Sequence, residues 1–186
     1  NMDISLYARI DIPYLKMQTI RKSLADGLTF TRKEIDSYSV GILEQMRQAY
    51  LQAVDIREYV ILGYDADQLE QIRIALSEKL DISCFLFPEM RGESMQEIRM
   101  GLEEGIDVSV YANMNYNWQQ MREIRKGLEN RVDVSVYAKP LYLSQQMREI
   151  RKGLESGLDV SKFSSMINTP AEMYRIRKKL EAGEAV

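Results

Sequence analysis

The sequence predicts an all-α fold, an α-solenoid of seven 26-residue repeats, each a long helix plus a short α or 3-10 helix. Three observations predict it. Side chains of one type return every 26 positions without a gap, the apolar positions inside each copy keep helical spacing, and cap and stop residues bracket each helical stretch. The period shows first in QMREIRKGLE, which occupies 120–129 and again 146–155. Carried outward, the same shift aligns Ile20, Met46, Ile72, Ile98, Ile124, Ile150 and Ile176.

The long helix follows from the columns around that position. Three residues earlier stand Met17, Leu43, Leu69, Met95, Met121, Met147 and Met173. Four residues later stand Leu24, Tyr50, Leu76, Leu102, Leu128, Leu154 and Leu180. Offsets of −3, 0 and +4 share one face of a 3.6-residue helix. Seven residues before the Ile column lie the N-cap types Ser39, Asp65, Asn117 and Thr169, the last followed by Pro170 at the first helical position. Gln68, Gln120 and Glu172, three past the cap, complete capping boxes. Tyr38, Tyr64, Met90, Tyr116 and Tyr142 precede the cap and are placed as hydrophobic staples. Gly27, Gly105, Gly157 and Gly183 can take the left-handed conformation that stops a helix. These marks give a long helix of about 12–13 residues.

The second half of each copy reads D-V-S-x-Y-A. Asp recurs at 3, 55, 81, 107, 133 and 159, with Thr29 in its place once. An apolar residue follows, and an aromatic comes three residues after it: Tyr7, Tyr59, Phe85, Tyr111, Tyr137 and Phe163. An Asp cap with apolar positions at +1 and +4 fits a short α or 3-10 helix. The alternation V-S-V-Y leaves a β-strand as the rival reading. A loop carrying Pro88 or Pro140 returns the chain to the next long helix.

The copy at 29–54 diverges most: Thr29 replaces the Asp, Lys33 the aromatic and Ala53 the Gly. It stays in register through Leu43, Met46, Arg47 and Tyr50. The last copy reaches Gly183 without an Asp-capped half. With no linker or shift of composition, the chain is expected to be one helical repeat domain over 1–186. One copy cannot bury its own apolar face, whereas stacked neighbours can. Seven parallel helices 8–10 Å apart would give a curved rod on the order of 60 Å. Asn1 ahead of Met2 reads as an added residue, and Met2 as a natural start or fragment boundary.

QMREIRKGLESGLDVS followed by an aromatic resembles short tandem repeats found in uncharacterised bacterial proteins, a resemblance that implies no activity. The alternation of a long and a very short helix is similar to the leucine-rich repeat variant, an α/3-10 solenoid. That similarity covers the whole chain in period but not in residue detail. Tetratricopeptide, HEAT and armadillo units are longer.

Composition excludes several activities. There is no histidine, so a histidine-based triad, a zinc protease site and a Cys/His zinc finger are ruled out. Cys84 stands alone, so no internal disulfide forms, which suits a reducing, cytoplasmic compartment. Cys84 reads as a small buried or half-buried hydrophobe. No secretory signal and no membrane-spanning run is visible. The glycines read as single helix-end residues, unlike a phosphate loop. No cofactor or metal is expected, and the chain reads as non-enzymatic. A net charge of −3 argues against a protein built mainly to bind nucleic acid.

The sharpest candidate feature is a row of arginines directly after the Ile column: Arg21, Arg47, Arg73, Arg99, Arg125, Arg151 and Arg177. The structural reading is a ladder in which each Arg reaches a capping Asp or last-turn carbonyls. The functional reading is an anion track for nucleic acid or an acidic peptide. Around it, Arg122, Lys126, Arg148, Lys152, Arg175 and Lys178 alternate with Glu123, Glu129, Glu149, Glu155 and Glu181, which reads as a solvated helix face. The aromatic columns read as core in preference to base-stacking platforms. The expected function is a scaffold that binds a protein or peptide, the alternative being nucleic-acid or other polyanion binding through the Arg row. Self-association through the array ends is a further expectation.

Overall fold

The computed structural model describes residues 11–186. Among the described residues the fold is all-helical, with no strand. Seven helices of 12 residues begin at 26-residue intervals: α1 Tyr14–Ala25, α3 Val40–Leu51, α5 Ala66–Ser77, α6 Gly92–Glu103, α7 Trp118–Glu129, α8 Ser144–Glu155 and α9 Pro170–Glu181. Between them lie the short helices α2 (Arg32–Ser37) and α4 (Arg57–Ile61) and the 3-10 turns Val108–Val110, Val134–Val136 and Val160–Lys162. The helical reading of the D-V-S-x-Y-A half thus prevails over the strand in five of the six described copies, whereas 81–87 forms turns without the expected short helix. Asp3, Ile4, Ser5 and Tyr7, the first copy of that half, lie outside the described residues.

The caps explain why each helix starts and stops where it does. Ser39, Asp65, Asn117 and Thr169 each accept the backbone N–H three residues on, at 3.2, 2.9, 3.0 and 3.2 Å. A cap of this kind is worth about 1 kcal/mol. At the other end, residues 27, 53, 79, 105, 131, 157 and 183 all take positive φ, between 55° and 91°. Ala53, Lys79 and Arg131 therefore hold, without glycine, the left-handed conformation that glycine supplies in the other four copies. The following N–H reaches back to close the end, as Ile106 N–H does to the Gly101 carbonyl at 2.8 Å.

The short segments are held by their Asp. Asp107, Asp133 and Asp159 accept the backbone N–H of Ser109, Ser135 and Ser161 at 3.0–3.1 Å. Hydrogen bonds from those serines hold all three carboxyl groups below the usual Asp range. In the divergent copy the cap is Thr31, not Thr29: Thr31 and Glu34 form a reciprocal capping box at the head of α2. Thr29 does not cap, because α2 begins two residues later in register than the 3-10 turns at 108, 134 and 160 do.

The chain forms two compact units, one of residues up to Ile82 with Leu86–Glu93, the other of Ser83–Phe85 with Ser94–Val186. In the first, α1 packs on α3 and α3 on α5. Its core holds Ile20, Phe30, Ile35, Leu43, Leu69 and Ile72. In the second, α7 packs on α8 and α8 on α9, and the 3-10 turns at 134–136 and 160–162 fold against α7 and α8. Its core holds Met95, Ile98, Met121, Ile124, Met147, Ile150 and Met173. The Ile and Met/Leu columns are the buried seam, apart from half-buried Met17 and Ile176. The +4 column lies at the seam's edge: its leucines are half-buried, and Tyr50 is exposed.

Three glycines serve packing instead of helix ends. Gly101, Gly127 and Gly153 lie inside α6, α7 and α8, so the sequence reading of every glycine as a helix terminus does not hold for them. Each leaves room for the aromatic ten residues on. A Cβ on Gly127 would sit 1.9 Å from the Tyr137 hydroxyl, and one on Gly153 would sit 2.6 Å from the Phe163 ring. The ring then buries completely, and Tyr111 and Tyr137 donate their hydroxyls to the Glu97 and Glu123 carbonyls at 3.1 and 3.0 Å. Burial pushes both phenols above their ordinary range.

Candidate functional site

The Arg row resolves into an ordered set of ion pairs. In the second unit, Nε of Arg125, Arg151 and Arg177 donates to Glu97, Glu123 and Glu149, one helix back, at 3.0, 2.9 and 2.8 Å. Nη1 of the same three arginines donates within the helix to Glu129, Glu155 (2.6 Å) and Glu181. Arg99 pairs with Glu103 in the same intrahelical way. Arg122 adds a second donor to Glu97 at 2.8 Å. The partners are thus glutamates four residues on and twenty-eight residues back. The capping aspartates that the sequence offered as ladder partners are occupied by their own serines.

Burial separates this ladder from a surface charge pattern. Arg125, Arg151 and Arg177 are 6%, 7% and 4% exposed, and Glu97, Glu123 and Glu149 are 1%, 8% and 8% exposed. Glu123 and Glu149 therefore do not belong to a solvated face, as charge alternation alone suggested. Desolvation works to lower Arg151 and Arg177, but the hydrogen bonds and charges of their two glutamates outweigh it and raise both. Among the described residues no buried side-chain N or O atom lacks a hydrogen-bond partner. An approaching phosphate would have to displace a carboxylate already in place.

The first unit carries a looser version. Arg47 donates through Nε to Asp26 at 2.5 Å and through Nη1 to Glu44 at 2.8 Å. Arg73 is buried against amide oxygens instead, Gln45 at 2.9 Å and Gln52 at 2.6 Å. Desolvation accordingly lowers Arg73, with only Glu70 acting against it. Arg21 is exposed on α1.

A second lacing, which the sequence reading assigned only to capping, runs along the loops. The side-chain oxygens of Gln68, Gln120 and Gln146 accept the N–H of residues 65, 117 and 143. Their amide groups reach forward to the next loop: Gln68 to the Pro88 and Met90 carbonyls, Gln120 to Pro140 and Tyr142, Gln146 to Met166 and Asn168, at 2.6–3.2 Å. The hydroxyls of Tyr116 and Tyr142, placed by sequence as staples, also bond forward, to the Ala138 and Ser164 carbonyls at 2.8 and 2.5 Å. The loops at 88–90, 138–142 and 164–168 are thus tied to the ones before them by backbone acceptors that any sequence could supply.

On that tied scaffold the loop tips of the second unit present aliphatic side chains to water. Leu141 is 81% exposed and Ile167 92%, with Leu143 and Met166 in the same loops and Met114 in the preceding loop also exposed. Leu141 and Ile167 occupy equivalent positions of successive copies. Isolated exposed leucines are ordinary, but repeated aliphatics on adjoining loops form the kind of patch that marks an interface.

In the first unit a cavity of about 330 Å³ is lined by Leu28, Met46, Ala49, Tyr50, Val54 and Ile56 among others. Ala49 stands where Gly127 meets Tyr137 in the second unit, and its methyl leaves no room for a tyrosine hydroxyl. Tyr59 instead lies edge-on to Tyr64, with ring centres 6.1 Å apart. Cys84 is half-buried. Among the described residues no cluster of acidic or cysteine side chains is arranged to hold a metal ion, and no helix is long and apolar enough to cross a membrane. No family model, no curated protein and no solved structure matches the chain.

Proposed function

We propose that the chain is a non-enzymatic, cytoplasmic repeat scaffold whose seven copies stack as one α-solenoid and bind a protein partner along the apolar loop tips. The solenoid reading is supported by seven 12-residue helices at one spacing, stacked in order inside each unit. It is the arrangement that the leucine-rich repeat variant resemblance implies. The observation that carries the function is the exposure of Leu141 and Ile167 on loops already fixed by Tyr142, Gln120 and Gln146. A fixed apolar ridge loses little conformational freedom on binding and so converts buried area into affinity efficiently. Polyanion binding through the Arg row has less support, because the guanidiniums of Arg125, Arg151 and Arg177 are already bonded to two glutamates each.

Affinity capture with the wild-type chain and with Leu141→Ser/Ile167→Ser tests this reading. Both residues are exposed, so the variant keeps the far-UV circular dichroism and melting temperature of the wild type. A stoichiometric protein partner held by the wild type and lost by the variant supports the proposal. Equal capture by both chains, or retention of salt-labile nucleic acid instead, contradicts it.

A further inference from the structure

The last helix breaks the repeat pattern in charge, and does so at one place. Three columns that are Glu97, Glu123 and Glu149; Gly101, Gly127 and Gly153; and Val110 and Val136 in earlier copies become Arg175, Lys179 and Lys162. The interior trio carries one negative charge; the terminal trio carries three positive ones. In the folded chain Lys162, Arg175 and Lys179 line a single groove together with Ile176 and Val186. Arg175, Lys178 and Lys179 are exposed, and Ile176 and Leu180 are half-buried. Lys162 acts on Asp159 and Arg175 on Glu172, carboxylates that are held by Ser161 and by Thr169 respectively.

The ladder says what this face is for. On α6, α7 and α8 the glutamate directly before the Ile column receives the arginine of the following helix. The same position on α9 is Arg175. A helix seated there in the manner of an interior copy would bring an arginine onto an arginine. A second copy of this chain docking through α1 would do so too, since it would present exposed Arg21 to Arg175. What fits is the inverse: a carboxylate where the interior copies offer a guanidinium, beside an apolar side chain that covers Ile176 and Leu180.

We infer that the exposed face of α9, with Lys162, is a docking site for an acidic amphipathic helix of another protein. Lys162, Arg175 and Lys179 pair with its carboxylates, and Ile176 and Leu180 receive its apolar stripe. This surface is separate from the loop ridge, so the two readings stand or fall independently.

The test uses fluorescence anisotropy with a labelled amphipathic Leu/Glu helical peptide, its Leu/Lys counterpart, and a labelled single-stranded oligonucleotide. The probes are titrated with the wild-type chain and with Arg175→Glu/Lys179→Gly, which restores the interior residues. The expected result is binding of the Leu/Glu peptide alone, weakened at least about tenfold by the double substitution, a change of about 1.4 kcal/mol. Arg175→Gln/Lys179→Ala, which removes the charges without reversing them, gives a smaller loss in the same direction. All four substitutions are on exposed positions; Lys179→Gly lowers the melt by the helix propensity of glycine, about 1 kcal/mol, so the fold control is the unchanged thermal melt of Arg175→Gln/Lys179→Ala. Absence of Leu/Glu peptide binding, equal binding by wild type and variants, or preferential binding of the oligonucleotide overturns the inference.

Discussion

Replacing Gly127 with alanine sets two physical effects against each other. Gly127 is in the interior of α7, where alanine is favoured over glycine by about 0.8–1.0 kcal/mol on helix propensity alone. The added methyl would lie 1.9 Å from the Tyr137 hydroxyl, 2.8 Å from a Val134 methyl and 3.2 Å from the Tyr137 ring. Tyr137 is fully buried and donates to the Glu123 carbonyl at 3.0 Å, so it cannot move aside without losing that bond and its packing. Overpacking of this kind costs about 1–3 kcal/mol, and the hydrogen bond adds about 1 kcal/mol. The net expectation is a loss of about 1–3 kcal/mol, or a fall in melting temperature of roughly 3–10 °C for a chain of this size. Thermal and urea melts followed by circular dichroism measure it. Adding Tyr137→Phe removes the nearest atom but leaves the ring, and recovers part of the loss. A Gly127→Ala chain as stable as the wild type, or more so, would show that helix propensity outweighs the contact and that the glycine column has another cause.

Further expectations bear on the caps, the ladder and titration. Lys79→Gly and Arg131→Gly each stabilise the chain by about 0.5–1 kcal/mol in the same melts, because both positions hold left-handed backbone, while Gly105→Ala loses a similar amount. Glu123→Ala destabilises by about 1–3 kcal/mol by withdrawing one of the two carboxylates that Arg151 holds, and a double-mutant cycle with Arg151→Met returns a coupling of at least about 1 kcal/mol; no coupling would deny the ladder a role. Burial raises Tyr111 and Tyr137, so the stability they contribute is intact below pH of about 10 and is lost as pH climbs above that value. Tyr111→Phe/Tyr137→Phe flattens the alkaline limb of a stability–pH curve. Asp107, Asp133 and Asp159 are depressed, so their contribution is present above pH of about 4 and is lost as pH falls below it.

Much of the fold is written in single-residue signals. Ser39, Asp65, Asn117 and Thr169 cap because a short polar side chain beside a helical pattern has few other roles, and the left-handed stop at 27, 105, 157 and 183 follows from glycine's freedom. What the single columns hide is pairing. A glycine inside α7 looks like a helix stop until Tyr137, ten residues on, is matched to it, a spacing that Gly101–Tyr111 and Gly153–Phe163 repeat. The ladder partners were equally present as spacings, Glu97–Arg125, Glu123–Arg151 and Glu149–Arg177, but glutamate alternating with lysine and arginine has the look of an exposed face. Only burial separates the two. The forward reach of Gln120 and Gln146 carries no sequence signal, since its acceptors are backbone carbonyls. The charge reversal at Arg175 and Lys179 is visible in an alignment of copies, but its meaning depends on knowing which side of the helix receives a neighbour.

Within each unit, helices 26 residues apart pack as immediate neighbours, one helix spacing apart. Spin labels at the exposed, equivalent positions Gln96, Arg148 and Tyr174 measure that directly. With helices 8–10 Å apart, the 96–148 pair spans two spacings, about 16–20 Å, and the 96–174 pair three, about 24–30 Å. Double electron–electron resonance on Gln96→Cys/Arg148→Cys and Gln96→Cys/Tyr174→Cys, each in a Cys84→Ala background, is expected to show that lengthening. A 96–174 distance equal to or shorter than the 96–148 distance would mean that the helices do not stack in sequence order.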